Sequence, residues 1–298
     1  MPVGIEIPQV RVDQPPDATE LAAFFRQVEQ VGFDSAWAME SQLAYASALE
    51  PLSVLAFAAG HTNSIGLGLA VAVLALHQPV RLARQAATID QLSGGRLTLG
   101  VGVGAPVLPA AAFGTKRGER APRFEEYLTV MRRLWNEPEV DFEGRFVTLE
   151  GARMAPKPVQ SPLPVWFGAG SPPALKRTAR LADGWIGAGS TPSDAFPGLV
   201  ETLRQELEAE DRDPATFPIA KRAYIAIDRP ADEVGAWFHA VYGGGIPPEV
   251  AIAGSAEQVL DGLHRLREAG AELIVVAPVG DDRPQLEAIV EHVLPELG

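Results

Sequence analysis

IGLGLAVAVLAL (65–76), HQPVRLARQAATIDQLSGGR (77–96) and LTLGVGVG (97–104) follow one another without a break, and their reading decides the fold. The first run is apolar apart from glycine, too short to span a membrane, and rich in Val and Leu, as a strand buried on both faces requires. Pro79 suits the first turn of a helix, where a missing N–H is no loss. Val80, Ala83, Arg84, Ala87 and Leu92 then recur near helical spacing, with Arg81, Gln85 and Asp90 between them. Ser93-Gly94-Gly95 ends that helix, because glycine accepts the left-handed conformation of a C-terminal cap. About twenty residues separate the two strands, which leaves room for a crossover helix and none for a hairpin. The unit is βαβ, so its strands are parallel.

The same rhythm extends in both directions. Strand signals start near positions 3, 34, 65, 97, 164, 184, 219 and 272. Helical patterns cover 21–31, 51–59, 122–135, 172–181, 193–210, 231–241, 256–269 and 284–294, the first capped by Asp17 or Thr19 and ended by Gly32. VDFEGRFVTL (140–149) reads as a hairpin. Each of about eight strands is followed by a helix, which points to an α/β protein built as a (β/α)8 TIM barrel, an architecture that uses about 250 residues as one unit. The expectation is a single domain over 1–298, with an insertion of about 105–162 after the fourth strand; a doubly wound open sheet is the alternative.

Composition narrows the partners. A net charge of −13 argues against nucleic acid and anionic membranes, since both repel an acidic surface. With no cysteine there is no thiol nucleophile, disulfide or thiolate metal site. The N-terminus MPVGIEIPQV has neither the basic start nor the apolar core of a signal peptide, and no run is long enough for a membrane helix, so a cytoplasmic protein is expected.

Several motifs fall where a barrel keeps its chemistry, at the C-terminal ends of the strands. Glu40 and Ser41 close the second strand, and His77 follows the third. A carboxylate there could take a proton or stay a solvated loop acid; His77 could orient a substrate or cap the next helix. Gly100, Gly102 and Gly104 alternate on one face near the end of the fourth strand, allowing close packing or close approach of a flat ligand. Pro106 and Pro109 prevent a helix from starting there, which excludes a dinucleotide fingerprint. Gly168-Ala169-Gly170-Ser171-Pro172-Pro173 is strand, glycine loop and helix, with Ser171 as N-cap and Pro172 at the first position, so either an anion site or a well-capped turn fits. Lys116, Arg117, Arg120 and Arg123 form a basic cluster that could receive phosphates or simply start a helix among Glu119, Glu125 and Glu126. His61 falls at the opposite end of the barrel, His239, His264 and His292 fall on helices, and no pair has metal-ligand spacing, so no metal is expected.

Taken together, VGFDSAWAMES (31–41), the stretch 65–104, RGERAPRFEEYLTVMRRLW (117–135) and PVWFGAGSPPALKRTARLADGWI (164–186) resemble the luciferase-like flavin-dependent oxidoreductase family, in particular its branch using the deazaflavin coenzyme F420. The resemblance implies a cofactor at the C-terminal mouth, with Ala70-Val71 as a non-proline cis peptide bulge backing its ring. It makes Glu40-Ser41 the counterpart of an acid–histidine pair, and Gly168, Ala169, Gly170 and Ser171 the cofactor phosphate loop, with Gly102 and Gly104 beside the ring. Deazaflavin-dependent sugar-phosphate dehydrogenases of this family have a catalytic histidine where this chain has Ser41 and a glutamate where it has Ala105, so their acid–base mechanism is not carried over. Ala105, Val107 and Leu108 imply instead an apolar pocket over the ring. The expectation is hydride transfer between coenzyme F420 and a small organic substrate. An FMN-dependent monooxygenase using dioxygen, a non-catalytic flavin-binding barrel, and an unrelated barrel lyase or isomerase are the alternatives. Substrate choice is placed in the loops 105–115 and 243–245, and a homodimer is expected because such proteins often pair.

Overall fold

The computed structural model describes residues 1–41, 46–104, 110–116, 118–280 and 283–298. Eight parallel strands form its centre: β1 (Val3–Glu6), β2 (Ser35–Ala38), β3 (Gly66–Val73), β4 (Leu97–Gly102), β5 (Val165–Gly168), β6 (Gly184–Gly187), β7 (Ile219–Ile227) and β8 (Leu273–Pro278). Each pairs in parallel with the next, and β8 returns to β1 through Val3↔Ile274 and Gly4↔Val275, so the sheet closes on itself. This is a (β/α)8 barrel, and closure removes the open-sheet alternative.

The helices follow the strands as the periodicity requires. They are α1 (Ala18–Val31), α2 (Pro51–Ala59), α3 (Pro79–Ser93), α4 (Arg120–Asn136), α5 (Pro172–Leu181), α6 (Phe196–Ala209), α7 (Ala231–Tyr242) and α8 (Ala256–Glu268). A final segment, α9 (Arg283–Ala288), continues through a π turn (Ile289–Val293) into α10 (Leu294–Leu297). Asp17 caps α1 in a reciprocal box with Glu20, and Gly32 and Gly94 end α1 and α3 at φ 96° and 67°. The hairpin Val140–Glu143 with Thr148–Ala152 forms as expected. Two short pairings lie beyond the expectation: Val10–Arg11 with Ser47–Ala48, and Ile252–Gly254 against the end of β7.

One face was misread. In α3 the buried positions are Pro79, Leu82, Ala83, Ala86, Ala87, Ile89, Asp90 and Ser93, whereas Arg84 is exposed and Leu92 is 59% exposed. Asp90 is buried because its carboxylate accepts from the Val159 and Gln160 amides and from Gln160 Nε2, at 2.7, 3.0 and 2.7 Å. A helix facing both a strand and an insertion can bury a charge that is hydrogen-bonded this fully.

The lumen is filled by Trp37 and Trp166, whose ring centroids lie 5.7 Å apart, with Ile186, Ala220 and Val275 around them. Trp37 Nε1 donates to Ser35 Oγ at 2.8 Å, which settles the buried indole N–H. The space for these rings comes from glycine: a Cβ at Gly68 would lie 2.2 Å from Trp37, and one at Gly184 2.5 Å from Trp166. Side chains therefore plug the barrel, and a ligand must sit at its mouth.

Candidate active site

Between Leu69 and Ala72 the register of β3 against β4 shifts, and the Ala70–Val71 peptide there is cis. The bulge turns the Val71 side chain across the lumen. A Cβ on Gly102 would lie 2.9 Å from Val71 Cγ2, and one on Gly168 3.1 Å from both Val71 methyls. At Gly100 it would lie 1.9 Å from the Leu69 carbonyl oxygen. Gly100 and Gly102 thus leave the room that the bulge occupies, as the close-packing reading requires. Gly104 does not share their face: β4 ends at Gly102, and Gly104 sits beyond it at φ 81°, its carbonyl accepting from Arg120 at 3.3 Å.

The exit of β2 is held by fully buried Gln9, which bonds the Met39 amide and carbonyl and the Leu49 carbonyl. Glu40 follows, its carboxylate almost enclosed. One oxygen accepts from the Val73 amide at 2.5 Å, and the other lies 2.5 Å from His77 Nε2. His77 reaches this position from the turn Leu74–Leu76 that ends β3. It does not cap α3; Gln78 does, accepting from the Arg81 amide at 2.8 Å. Ser41 is half-buried and makes no hydrogen bond among the described residues. The partner of the Glu40 carboxylate is therefore His77 and not its neighbour in sequence.

Ala70, Val71, Gly168 and Ile186 form an apolar floor under a cavity of about 120 Å³, walled by Met39, Gly187 to Ser190, Arg222 and Tyr224. Beside it, Ser171 is the N-cap of α5, as expected, but its side chain makes no cap bond. Pro172 and Pro173 have no N–H, and the Ala174 amide is bonded to the Ser171 carbonyl at 2.9 Å. The donors left for an anion are the amides of Gly170 and Ser171 and the Ser171 hydroxyl, so the loop and not the first helical turn supplies them. The apolar floor offers a surface on which the face of an aromatic ring could rest, and the loop offers donors that a phosphate could accept from. Of the basic cluster, Arg123 is paired with Glu119 at 3.2 Å and stacked on Phe146, which is the helix-start reading. Arg117 lies outside the described residues, as do Ala105, Val107 and Leu108.

A second group was not anticipated. Arg222, on the inner face of β7, donates to Glu6 at 2.5 Å and to the Tyr224 hydroxyl at 2.8 Å, and Tyr224 donates to Tyr242 at 2.5 Å. Burial pulls the Arg222 pKa down, but Glu6 above all, with the two tyrosines, outweighs it and holds the guanidinium well above its ordinary pKa. Burial likewise raises both tyrosines, which stay protonated. On the outer face Lys221 is buried, and its ammonium donates to the carbonyls of Ala188 and Thr191. The signal was present: IAKRAYIAI sets two cations inside an otherwise apolar strand. Among the described residues no cluster of His, Asp and Glu could hold a metal ion, and no helix is long and apolar enough to cross a membrane.

Barrel, bulge and mouth are features of a known class of proteins, and comparison identifies it: residues 1–251 match the luciferase-like monooxygenase family, to which the chain belongs. An uncharacterized protein of Mycobacterium tuberculosis is 40% identical over 151 residues, 50% of this chain and 52% of that one. The F420-dependent glucose-6-phosphate dehydrogenase of Kineococcus radiotolerans is 32% identical over 201 residues, 65% of this chain and 59% of that one. The chain thus spans between half and three fifths of the length of these curated relatives. Among solved structures, an F420-dependent secondary alcohol dehydrogenase in complex with an F420–acetone adduct superposes with a TM-score of 0.85 at 18% identity, covering 100% of this chain and 99% of that one.

Proposed function

We propose that the protein is an oxidoreductase that binds coenzyme F420 at the barrel mouth and transfers a hydride between it and a small organic substrate. The observation that carries this reading is the Glu40–His77 pair, which joins the end of β2 to the end of the bulged strand β3, whose Ala70–Val71 step lines the mouth cavity. When bound, the deazaflavin would supply hydride donor or acceptor chemistry. Ala70, Val71 and Gly168 would back its ring, and the Gly170 and Ser171 amides with the Ser171 hydroxyl would hold its phosphate. His77, oriented by Glu40, would exchange the substrate proton that accompanies the hydride. That role answers the missing histidine at Ser41: the imidazole comes from the end of β3. It also speaks against a barrel that only stores cofactor, which needs no proton-transfer group.

The test is a fluorescence titration of apoprotein with F420 and with FMN, repeated on Ser171→Asp. Tight binding of F420, weakened by the added charge, is expected. Preference for FMN would redirect the reading to oxygen-dependent monooxygenation, and binding of neither would overturn it.

A further inference from the structure

The loop after β6 walls the mouth cavity through Ala188, Gly189 and Ser190. Two neighbouring cations of β7 hold it. On the outer face the Lys221 ammonium donates to the carbonyls of Ala188 and Thr191, the latter at 2.9 Å, and lies 6.0 Å from the centre of the Phe196 ring. On the inner face Gly189 rests on Arg222 and Tyr224. A Cβ there would come 2.6 Å from Arg222 Nη1 and 2.8 Å from Tyr224 Cε2. The Thr191 amide closes the turn by donating to the same Ala188 carbonyl at 3.0 Å.

These contacts fix the direction of one peptide unit. The Ala188–Gly189 bond is trans, and in a trans unit the N–H and C=O point opposite ways. Because the Ala188 carbonyl is drawn onto the ammonium, the Gly189 N–H points away from it, on a residue that lines the mouth. Gly189 is buried, and its amide has no hydrogen-bond partner among the described residues. A buried N–H without an acceptor is rare. The lysine is costly as well, since burial and the adjacent Arg222 both work against its charge. An apolar side chain would fill the same place against Phe196 without that cost. What the ammonium supplies in return is the orientation of the loop.

We propose that Lys221 is a positioning residue for the cofactor: it holds the loop 188–191 so that the Gly189 amide donates to a carbonyl oxygen on the edge of the ring seated over Ala70 and Val71. The inference rests on the proposed cofactor reading and adds to it a residue that touches neither ring nor substrate.

Hydrogen exchange and fluorescence titration of the full chain test it, with F420 and with its phosphate-free chromophore, 8-hydroxy-5-deazariboflavin. In apoprotein, Lys221→Met should speed exchange in the segment 187–192 about tenfold and leave the other barrel strands unchanged. In wild type, either ligand should slow exchange there. Lys221→Met should weaken both ligands by the same factor, about tenfold, because the ring and not the phosphate is at stake. Gly189→Ala, which lifts the loop off Arg222 and Tyr224 while keeping the lysine, should weaken both likewise and serves should Lys221→Met fail to fold. Unchanged affinity in both variants, a loss confined to F420, or exchange in 187–192 indifferent to Lys221→Met would each overturn the proposal. The proposed function fails separately: if wild type binds neither ligand, the cofactor reading falls, and exchange in the apoprotein still decides whether Lys221 holds the loop.

Discussion

His77 Nε2 stands 2.5 Å from Glu40 Oε1, although 37 positions separate the two residues in the chain. Each ends a different strand, and the strands are neighbours in the barrel, Ala38 opposite Leu69. The second Glu40 oxygen is taken by the Val73 amide, so backbone and imidazole together fix the carboxylate's rotamer. A carboxylate held this way orients the imidazole it faces, which is the arrangement proton transfer asks for.

Replacing either member of that pair should therefore act on turnover more than on binding. With a substrate drawn from a panel of alcohols and carbonyl compounds, Glu40→Gln and His77→Gln should each lower kcat by about 10²–10⁴-fold, the range for a positioned acid–base group. F420 affinity should change little in either variant. Deazaflavin absorbance reads both quantities; an unchanged kcat in His77→Gln would remove the imidazole from the mechanism.

The bulge makes a second prediction. In Gly100→Ala the new methyl would meet the Leu69 carbonyl, which belongs to the backbone and cannot turn away, so a loss of about 1–3 kcal/mol is expected in denaturant unfolding. In Gly168→Ala the methyl would meet only the Val71 methyls at 3.1 Å. That variant should lose less stability but push Val71 toward the mouth and weaken F420 binding. Equal effects of the two variants on stability would contradict this account of the floor.

Lys221 should give a pH signature. Burial, reinforced by Arg222, lowers its pKa from 10.5 to about 7, so between these values the unfolded chain holds the extra proton and stability rises with pH. Wild type should gain on Lys221→Met as pH goes from about 7 to 10, by at most about 1.4 kcal/mol per pH unit. Urea unfolding of the pair at pH 7 and 9.5 checks it; a flat difference would mean that the lysine is not desolvated.

Glu29 should act in the opposite range. Burial raises its pKa, but the Ser64, Ile65 and Asn63 amides and the Ser64 hydroxyl overcome this and bring it to about 2. Its stabilisation is present above pH 4.5 and lost as pH falls toward 2. Glu29→Gln should cost about 1 kcal/mol at pH 6, a value reduced for the side chain's solvent exposure, and nothing near pH 2.

How much of this was legible beforehand differs between fold and site. All eight strands start within one residue of their expected positions, because a strand buried on both faces leaves an apolar run that no nearby element has to explain. Helix ends at Gly32 and Gly94 were legible for a similarly local reason, the left-handed φ that glycine tolerates. The α3 face was misjudged at Leu92 and Asp90, since the insertion that covers Asp90 returns about seventy positions later. Glu40, Ser41 and His77 were named from their places at strand ends, but nothing in the chain order said that Glu40 would take His77 and leave Ser41 aside.

Spacing, breakers and apolar runs were sufficient for the parallel barrel and for which strand ends would face the mouth, because those depend on contacts within a few residues. Pairing across the mouth needed closure of the sheet. The Glu40–His77 contact, the three glycines emptied for Val71 and Leu69, and the Glu6–Arg222–Tyr224–Tyr242 chain each join residues on different elements. Their geometry is set by the register between strands and by the bulge at Ala70–Val71, quantities that exist only once β8 has met β1.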